Sequence, residues 1–246
     1  MKILIVTVAG MSTRFSKSVG KEVIKCLYNE SDFSDSLISR LINQPCEYDR
    51  YIIVGGYRYN ELVSSLKEKF DTNRIDFVEN PFYEKYGSGY SLYYGIKKAL
   101  SYNFDELVFA EGDLFVDTES YKKVWESDKS VITCNNEPIE ANKAVAYYFS
   151  LDNKVHYIYD TGHSALTISE PFLSIYNSGQ IWKFSDYNKV KEVYDDMEET
   201  LWQGTNLVFI EKYFNSINHN DTEIIKFSEW INCNTVEDFR KIKEWG

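Results

Sequence analysis

Lys2-Ile-Leu-Ile-Val-Thr-Val8, running directly into Ala9-Gly-Met-Ser-Thr-Arg14, is the stretch on which the reading of this chain turns. A short run of aliphatic and β-branched residues bounded by small ones predicts a strand buried on both faces. The turn that ends it is rich in small and hydroxyl residues, so backbone N–H groups can approach a ligand closely. Arg14 and, further along, Lys25 can add two cations there. N–H groups and cations at the end of a strand are what holding a triphosphate requires, although the loop taken alone also fits a plain strand–turn–helix connection. It matches neither the dinucleotide-binding Gly-x-Gly-x-x-Gly pattern nor a phosphate loop ending in Gly-Lys-Ser/Thr.

Outward from that stretch, apolar runs at Ile3–Val8, Tyr51–Val54, Ile75–Val78, Leu107–Ala110 and Val131–Cys134 predict strands. Helical periodicity lies between them at Leu37–Ile42, Asn60–Phe70, Tyr90–Leu100 and Glu119–Glu126. This alternation predicts an α/β fold: a doubly wound, mostly parallel, Rossmann-like mixed sheet with helices on both faces. The second half alternates differently. Ala144–Phe149, Val155–Tyr159 and Phe172–Phe184 predict a smaller antiparallel extension, and helices are expected at Tyr187–Met197, Leu207–Phe214 and Val236–Trp245. No Pro/Gly/Ser-rich linker interrupts the 246 residues, so one domain is expected over 1–246.

The net charge of −11 repels phosphate polymers and anionic bilayers, so neither nucleic acid nor membrane is an expected partner. A nucleotide is not excluded, because a divalent metal can join an acidic site to phosphate. Cys26, Cys46, Cys134 and Cys233 lack metal-ligand spacing and read as reduced thiols. The first apolar stretch is broken by Gly10 and Ser12, unlike a signal peptide, and no run approaches the roughly 20 residues that span a bilayer. A cytoplasmic location is the expectation.

Ligands of doubly wound sheets bind outside the carboxyl ends of the strands. On that edge fall the first loop, Gly55-Gly56-Tyr57, and Glu111-Gly112-Asp113. Asp113, just after a strand and a glycine, suits a magnesium ion that also touches phosphate; the competing reading is a turn aspartate. Asp117 reads as a helix N-cap. In Tyr86-Gly-Ser-Gly-Tyr-Ser-Leu92, Ser88 and Ser91 can donate to a base or ribose, and one of them is expected to cap the helix that follows. Asn234 offers a carbonyl to a metal, while Thr235 and Asp238 resemble a capping box. His156, His163 and His219 have no partners at informative spacing and read as ordinary surface or loop histidines.

Together these stretches resemble the nucleotidyltransferases that join an NTP to a phosphorylated acceptor and release pyrophosphate. The group includes sugar-1-phosphate nucleotidyltransferases, bacterial phosphocholine cytidylyltransferases and the molybdenum-cofactor guanylyltransferase. Ala9-Gly-Met-Ser-Thr-Arg14 is similar to the family's Ala-Gly-x-Gly-x-Arg, with Ser12 for the second glycine, and Ile24-Lys25 to its Pro-Lys. Ile52-Ile-Val-Gly-Gly-Tyr57 resembles the second strand and its Gly-Tyr turn. Asn80-Pro81 with Ser91-Leu92 looks like the subgroup handling choline-type acceptors, and Gly112-Asp113 matches the first metal aspartate. Cys233-Asn234-Thr235-Val-Glu-Asp238 stands where the family reads Ile-Asp-Thr-x-Glu-Asp.

The resemblance spans residues 1–116 and 229–239. It implies an NTP- and metal-binding core from 1–135 and 229–246, with an acceptor-binding part over 136–228. It further implies Arg14 on the β- and γ-phosphates, Lys25 on the α-phosphate, and Mg2+ held by Asp113 and Asn234. Nucleotide contacts are expected from Val8, Ala9, Gly10, Met11, Ser12 and Thr13, and beyond the first loop from Gly56, Tyr57, Ser88, Ser91 and Glu111. The expected activity is transfer of CMP from CTP to a small phosphorylated or phosphonate acceptor for cell-surface polysaccharide decoration; a homodimer is compatible with it. A sugar-1-phosphate acceptor is the alternative, and a non-catalytic nucleotide-binding regulator or a glycosyltransferase stand further off.

For the acceptor, Tyr176, Trp182 and Trp202 can form an aromatic wall for a choline-like cation, or be core aromatics. Glu199, with Asp195, Asp196 and Glu198, can receive an amine or simply form a solvated helix face.

Overall fold

The computed structural model describes residues 1–141, 145–159 and 164–245. Strands β1 (Lys2–Val8), β2 (Arg50–Gly55), β3 (Ile75–Glu79) and β4 (Glu106–Glu111) alternate with helices α1 (Thr13–Val19), α2 (Leu37–Ile42), α3 (Tyr59–Lys69) and α4 (Ser88–Ala99). β5 (Leu114–Val116), α5 (Thr118–Glu126) and β6 (Ser130–Asn135) complete the first half. The second half carries β7 (Ala146–Ser150), β8 (Val155–Ile158) and the long β9 (Phe172–Phe184). Helices α6 (Tyr187–Asp196), α7 (Glu199–Trp202) and α8 (Leu207–Ser216) follow, then β10 (Thr222–Lys226), β11 (Trp230–Asn232) and α9 (Val236–Trp245).

The main sheet runs β10-β6-β9-β4-β1-β2-β3. The four strands β3, β2, β1 and β4 are parallel, whereas β9 enters antiparallel between β4 and β6 and carries β7 and β8 on its far end. The α/β class, the helices on both faces and the antiparallel extension therefore stand as expected. Alternation along the strands produces the two faces. Ile3 and Ile5 of β1, with Ile52 and Val54 of β2, pack under α4, α6 and α8. Leu4, Val6 and Ile53 pack under α2, α3 and α5. A third cluster joins Phe15 of α1 to Phe239 and Ile242 of α9, fastening the C-terminal helix beside the first loop.

Some elements escape the periodicity. α1 buries only Phe15 and α7 is a single turn, so neither shows it, and β10 (Thr-Glu-Ile-Ile-Lys) is an edge strand with Glu223, Ile224 and Lys226 exposed. The strand expected from Ala144 begins at Ala146; residues 142–144 and His163 lie outside the described residues. His156 is not isolated: its ring lies 3.6 Å from Glu211 and 3.9 Å from Glu170. All four cysteines are buried free thiols. No described helix is long and apolar enough to cross a membrane.

β1 connects toward β2 on one side, while β4 lies on its other side, level with it: Thr7 of β1 is opposite Glu111 of β4. Chain reversal at such a point opens a crevice between the two carboxyl ends.

Candidate active site

A cavity of about 340 Å³ fills that crevice. The loop leaving β1 forms one wall. A side-chain carbon added to Gly10 would meet nothing within 4 Å, so the backbone there faces open space. Ser12 takes φ 57° and ψ 27°, the left-handed conformation that glycine adopts without cost. For serine this costs roughly 1–2 kcal/mol. Its side chain offsets part of the cost, because Ser12 Oγ accepts the Lys25 backbone N–H at 3.3 Å. The serine in place of the second glycine thus keeps the glycine conformation and ties the loop to the segment carrying Lys25.

Ile24, in place of proline, has φ −85°, near the range a proline ring enforces, and starts the 3-10 turn of Lys25–Leu27. From that turn Lys25 Nζ reaches Asp113 Oδ2 at 2.8 Å. Asp113 stands between β4 and β5, after a glycine hemmed in by β1: a Cβ on Gly112 would lie 2.2 Å from Val8 Cγ1 and 3.0 Å from the Thr7 carbonyl, so a larger residue would force a shift. β5 pairs antiparallel with β11, and the Cys233 N–H donates to the Asp113 carbonyl at 2.8 Å. Asn234, far off in sequence, is thereby delivered to the same cavity. The Thr235 hydroxyl accepts the Asp238 N–H at 3.2 Å and the Asp238 carboxylate accepts the Thr235 N–H at 2.8 Å, the reciprocal capping box expected for α9.

Charge in the cavity is uneven. Asp113 Oδ1 is buried with no hydrogen-bond donor among the described residues, although Oδ2 is paired with Lys25. An orphaned carboxylate oxygen beside open volume suits a cation. Asp113 and Asn234 are the residues able to hold one; no group of three or more His, Cys, Asp or Glu gathers for a metal among the described residues, so further ligands would come from phosphate and water. Glu111, half-buried at the end of β4, accepts a hydrogen bond from Asn206 Nδ2 at 2.7 Å. Burial and the nearby Asp113 hold its carboxyl well above the ordinary carboxylate range, against the pull of Asn206 and Lys25. Burial also pushes the Cys26 thiol up to about 12, so this cavity-lining cysteine is no nucleophile.

Of the expected residues, Val8, Ala9, Gly10, Ser12, Thr13 and Arg14 line the cavity from the first loop, and Lys25, Ser88, Ser91, Glu111, Asp113 and Asn234 close it. Met11, Gly56 and Tyr57 do not line it. Met11 is exposed, and Tyr57 braces the loop from behind by donating its N–H to the Ala9 carbonyl at 3.1 Å. Neither Ser88 nor Ser91 caps α4, whose N-cap is Gly87. Instead Ser88 Oγ accepts the Asn206 N–H at 3.1 Å, and Ser91 Oγ accepts Asn80 Nδ2 at 3.0 Å. Asp117 does cap α5, accepting the Ser120 N–H at 2.8 Å.

The aromatic wall does not exist. Trp182 is fully buried, stacked on Phe109 at 5.2 Å, with its indole N–H donating to Tyr157 at 2.6 Å. Trp202 is buried between Tyr93, Tyr194 and Phe209. Tyr176 stacks on Tyr147, and Glu199 accepts the Tyr90 hydroxyl at 2.8 Å; neither reaches the cavity. Asp195, Asp196 and Glu198 are solvent-exposed, Asp195 being paired with Lys191. The aromatic residues that do line the cavity are Phe15, Tyr83 and Tyr86, none of which was expected at the site, and Asn80 joins them. Asn80-Pro81, directly after β3 on the carboxyl edge, was the available signal for that segment.

The same architecture occurs in solved structures at low sequence identity. The inositol-1-phosphate CTP transferase from T. maritima matches with TM-score 0.66 and 16% identity, covering 99% of this chain and 97% of that one. The CTP:phosphocholine cytidylyltransferase from Streptococcus pneumoniae matches with TM-score 0.62 and 16% identity over 99% of this chain and 98% of that one. A putative glucose-1-phosphate thymidylyltransferase from Bacillus anthracis matches with TM-score 0.66 and 12% identity over 100% of this chain and 95% of that one. No curated protein matches the chain by sequence. The fold is that of nucleotidyltransferases, and by the match of a family model to residues 21–245 the chain belongs to the family described as a domain of unknown function, DUF6564.

Proposed function

We propose that this chain is a magnesium-dependent nucleotidyltransferase that transfers a nucleoside monophosphate, CMP from CTP foremost, to a small phosphorylated or phosphonate acceptor and releases pyrophosphate. The observation that carries the reading is the Lys25–Asp113 pair at the β1–β4 crevice, with Arg14 on the same cavity and Asp113 Oδ1 lacking a donor. CTP is favoured because two of the structural neighbours are named for it, one acting on inositol-1-phosphate and one on phosphocholine.

An acceptor oxygen attacks the α-phosphorus in line, the bond to the bridging oxygen breaks, and pyrophosphate leaves without a covalent enzyme intermediate. Positioning and charge neutralisation supply the rate. Arg14 binds the β- and γ-phosphates and steadies the leaving pyrophosphate. Lys25 neutralises charge that builds on the α-phosphate. Asp113, with Asn234, would hold magnesium, which would supply charge neutralisation at the phosphates. Residues 9–12 supply a backbone turn open to the phosphates.

The test is a pyrophosphate-release assay with Mg2+, crossing four NTPs with phosphocholine, 2-aminoethylphosphonate, polyol phosphates and sugar-1-phosphates. CTP with a non-sugar acceptor is expected to be fastest; a sugar-1-phosphate outrunning the rest would favour the alternative that the thymidylyltransferase neighbour suggests. Asp113→Ala is expected to lose on the order of 10² to 10³ in rate while unfolding at an unchanged temperature. Near-normal turnover by that variant would remove the metal assignment.

A further inference from the structure

Tyr86, Gly87, Ser88 and Ser91 form one wall of the cavity, and residues that do not line the cavity hold it in place. The wall includes the start of α4, and a helix start leaves its first N–H groups without partners inside the helix. A serine, threonine or aspartate side chain ordinarily meets them, but the N-cap of α4 is Gly87, which has none. Backbone carbonyls from the second half of the chain take that place. The Gly87 N–H donates to the Gln203 carbonyl at 2.9 Å and the Gly89 N–H to the Gly204 carbonyl at 3.0 Å, both at the end of α7. The glycines permit this approach: a Cβ on Gly87 would lie 2.2 Å from the Gly204 carbonyl oxygen, and one on Gly89 2.5 Å from that of Trp202. Two further bonds flank the pair. Asn206 donates its N–H to Ser88 Oγ at 3.1 Å, and the Tyr90 hydroxyl donates to Glu199 at 2.8 Å.

The segment from Glu199 to Asn206 is itself anchored away from the cavity, since Trp202 is buried among Tyr93, Tyr194 and Phe209. The first turn of α4 keeps its N–H partners only while that segment is seated, and Ser88 and Ser91 face the cavity from α4. We infer that the Glu199–Asn206 segment is the positioning element of the nucleotide-binding wall, so that residues of the second half which never touch the nucleotide set its affinity. Arg14, Lys25 and Asp113 stand on other elements, so a displaced wall weakens binding and spares the transfer step. This rests on the placement of the NTP in the nucleotidyl-transfer reading.

The test is calorimetric titration of the full-length protein and Mg2+ with CTP, ATP, GTP and UTP, alongside pyrophosphate release and thermal unfolding. Gly89→Ala sets a methyl against the Trp202 carbonyl and drives the segment off α4. It should raise Kd and KM for the NTP by about tenfold or more, with kcat at saturating NTP largely retained. Glu199→Ala removes the acceptor of the Tyr90 hydroxyl and should raise Kd several-fold; Glu199→Gln, whose amide oxygen still accepts that bond, should restore it. Variants that lower Tm and leave Kd unchanged overturn the inference, because a purely structural contact does only that. So does a Glu199→Gln variant as weak as Glu199→Ala. If Gly89→Ala fails to fold, the two Glu199 variants decide alone. Unaltered Kd in every variant, with a wild type that releases pyrophosphate, ends this inference and leaves nucleotidyl transfer standing. A wild type that binds NTP but releases no pyrophosphate with any acceptor removes the transfer reading alone, and one that binds no NTP removes both.

Discussion

The first loop and the second-half aromatics were both candidate binding elements, and the structure treats them oppositely. Residues 8–10 and 12–14, with Lys25 and Asp113, converge on one cavity, whereas Trp182 and Trp202 disappear into the core. The difference lies in what burial demands of each residue type. A turn of small and hydroxyl residues followed by cations has little to gain from the interior, so its presence at a strand end already points outward. An indole is equally at home in a core or against a ligand, and its N–H needs only one partner, which Tyr157 supplies to Trp182.

Lys25→Ala offers the largest expected effect on that contrast. It removes the partner of Asp113 and the cation proposed to face the α-phosphate, so pyrophosphate release should fall on the order of 10² to 10³-fold with little change in Tm. A variant that unfolds instead would recast the Lys25–Asp113 pair as a structural contact like those of the second half.

Trp182→Ala tests the opposite region. It should cost about 3–5 kcal/mol of stability, read by urea unfolding, because a stacked core indole leaves a cavity. Trp182→Phe, which spares most of the volume, should leave acceptor KM unchanged. A selective rise in KM without loss of stability would return Trp182 to the acceptor pocket.

Gly112→Ala lies between these extremes. The added methyl meets Val8 Cγ1 and forces β1 and β4 apart, which should cost about 1–3 kcal/mol in denaturant unfolding and also lower turnover by displacing Asp113. Unchanged stability would mean that the two strand ends yield freely and that the crevice is not a rigid frame.

Ser12→Gly carries the smallest expected effect. Glycine relieves the left-handed strain of roughly 1–2 kcal/mol, but the variant forfeits the Ser12–Lys25 hydrogen bond and adds unfolded-chain entropy, so Tm should move by only a few degrees in either direction. NTP affinity is the sharper readout, since an untied Lys25 segment should weaken it several-fold. If affinity is unaffected, Ser12 is only a tolerated substitute for glycine.

The order of strands and helices was legible because the central strands β1, β2 and β4 are buried on both faces and the longer helices on one, which leaves continuous and 3.6-residue apolar patterns in the chain. β10 was not legible: it lies at the sheet edge, with Glu223, Ile224 and Lys226 exposed. The Asp113–Asn234 association was guessed from motif likeness alone. Its physical basis is the β5–β11 pairing and the Cys233 N–H bond to the Asp113 carbonyl, contacts between segments that share no local pattern. The serines ahead of α4 show the same limit. Their type suited capping, and only the arrival of Asn206 and Asn80 from elsewhere decided that they serve as acceptors for those asparagines.

Local chemistry along the chain was enough to establish the α/β class, the crevice edge, and the cavity-lining loop with its two cations, because period, turn chemistry and charge act over a few residues. The tertiary structure alone decided which aromatics face the cavity, where Asn234 lies and what holds Glu111. Those depend on contacts between segments far apart in sequence, where the same side chain is equally satisfied by core or by ligand until the fold brings its partner.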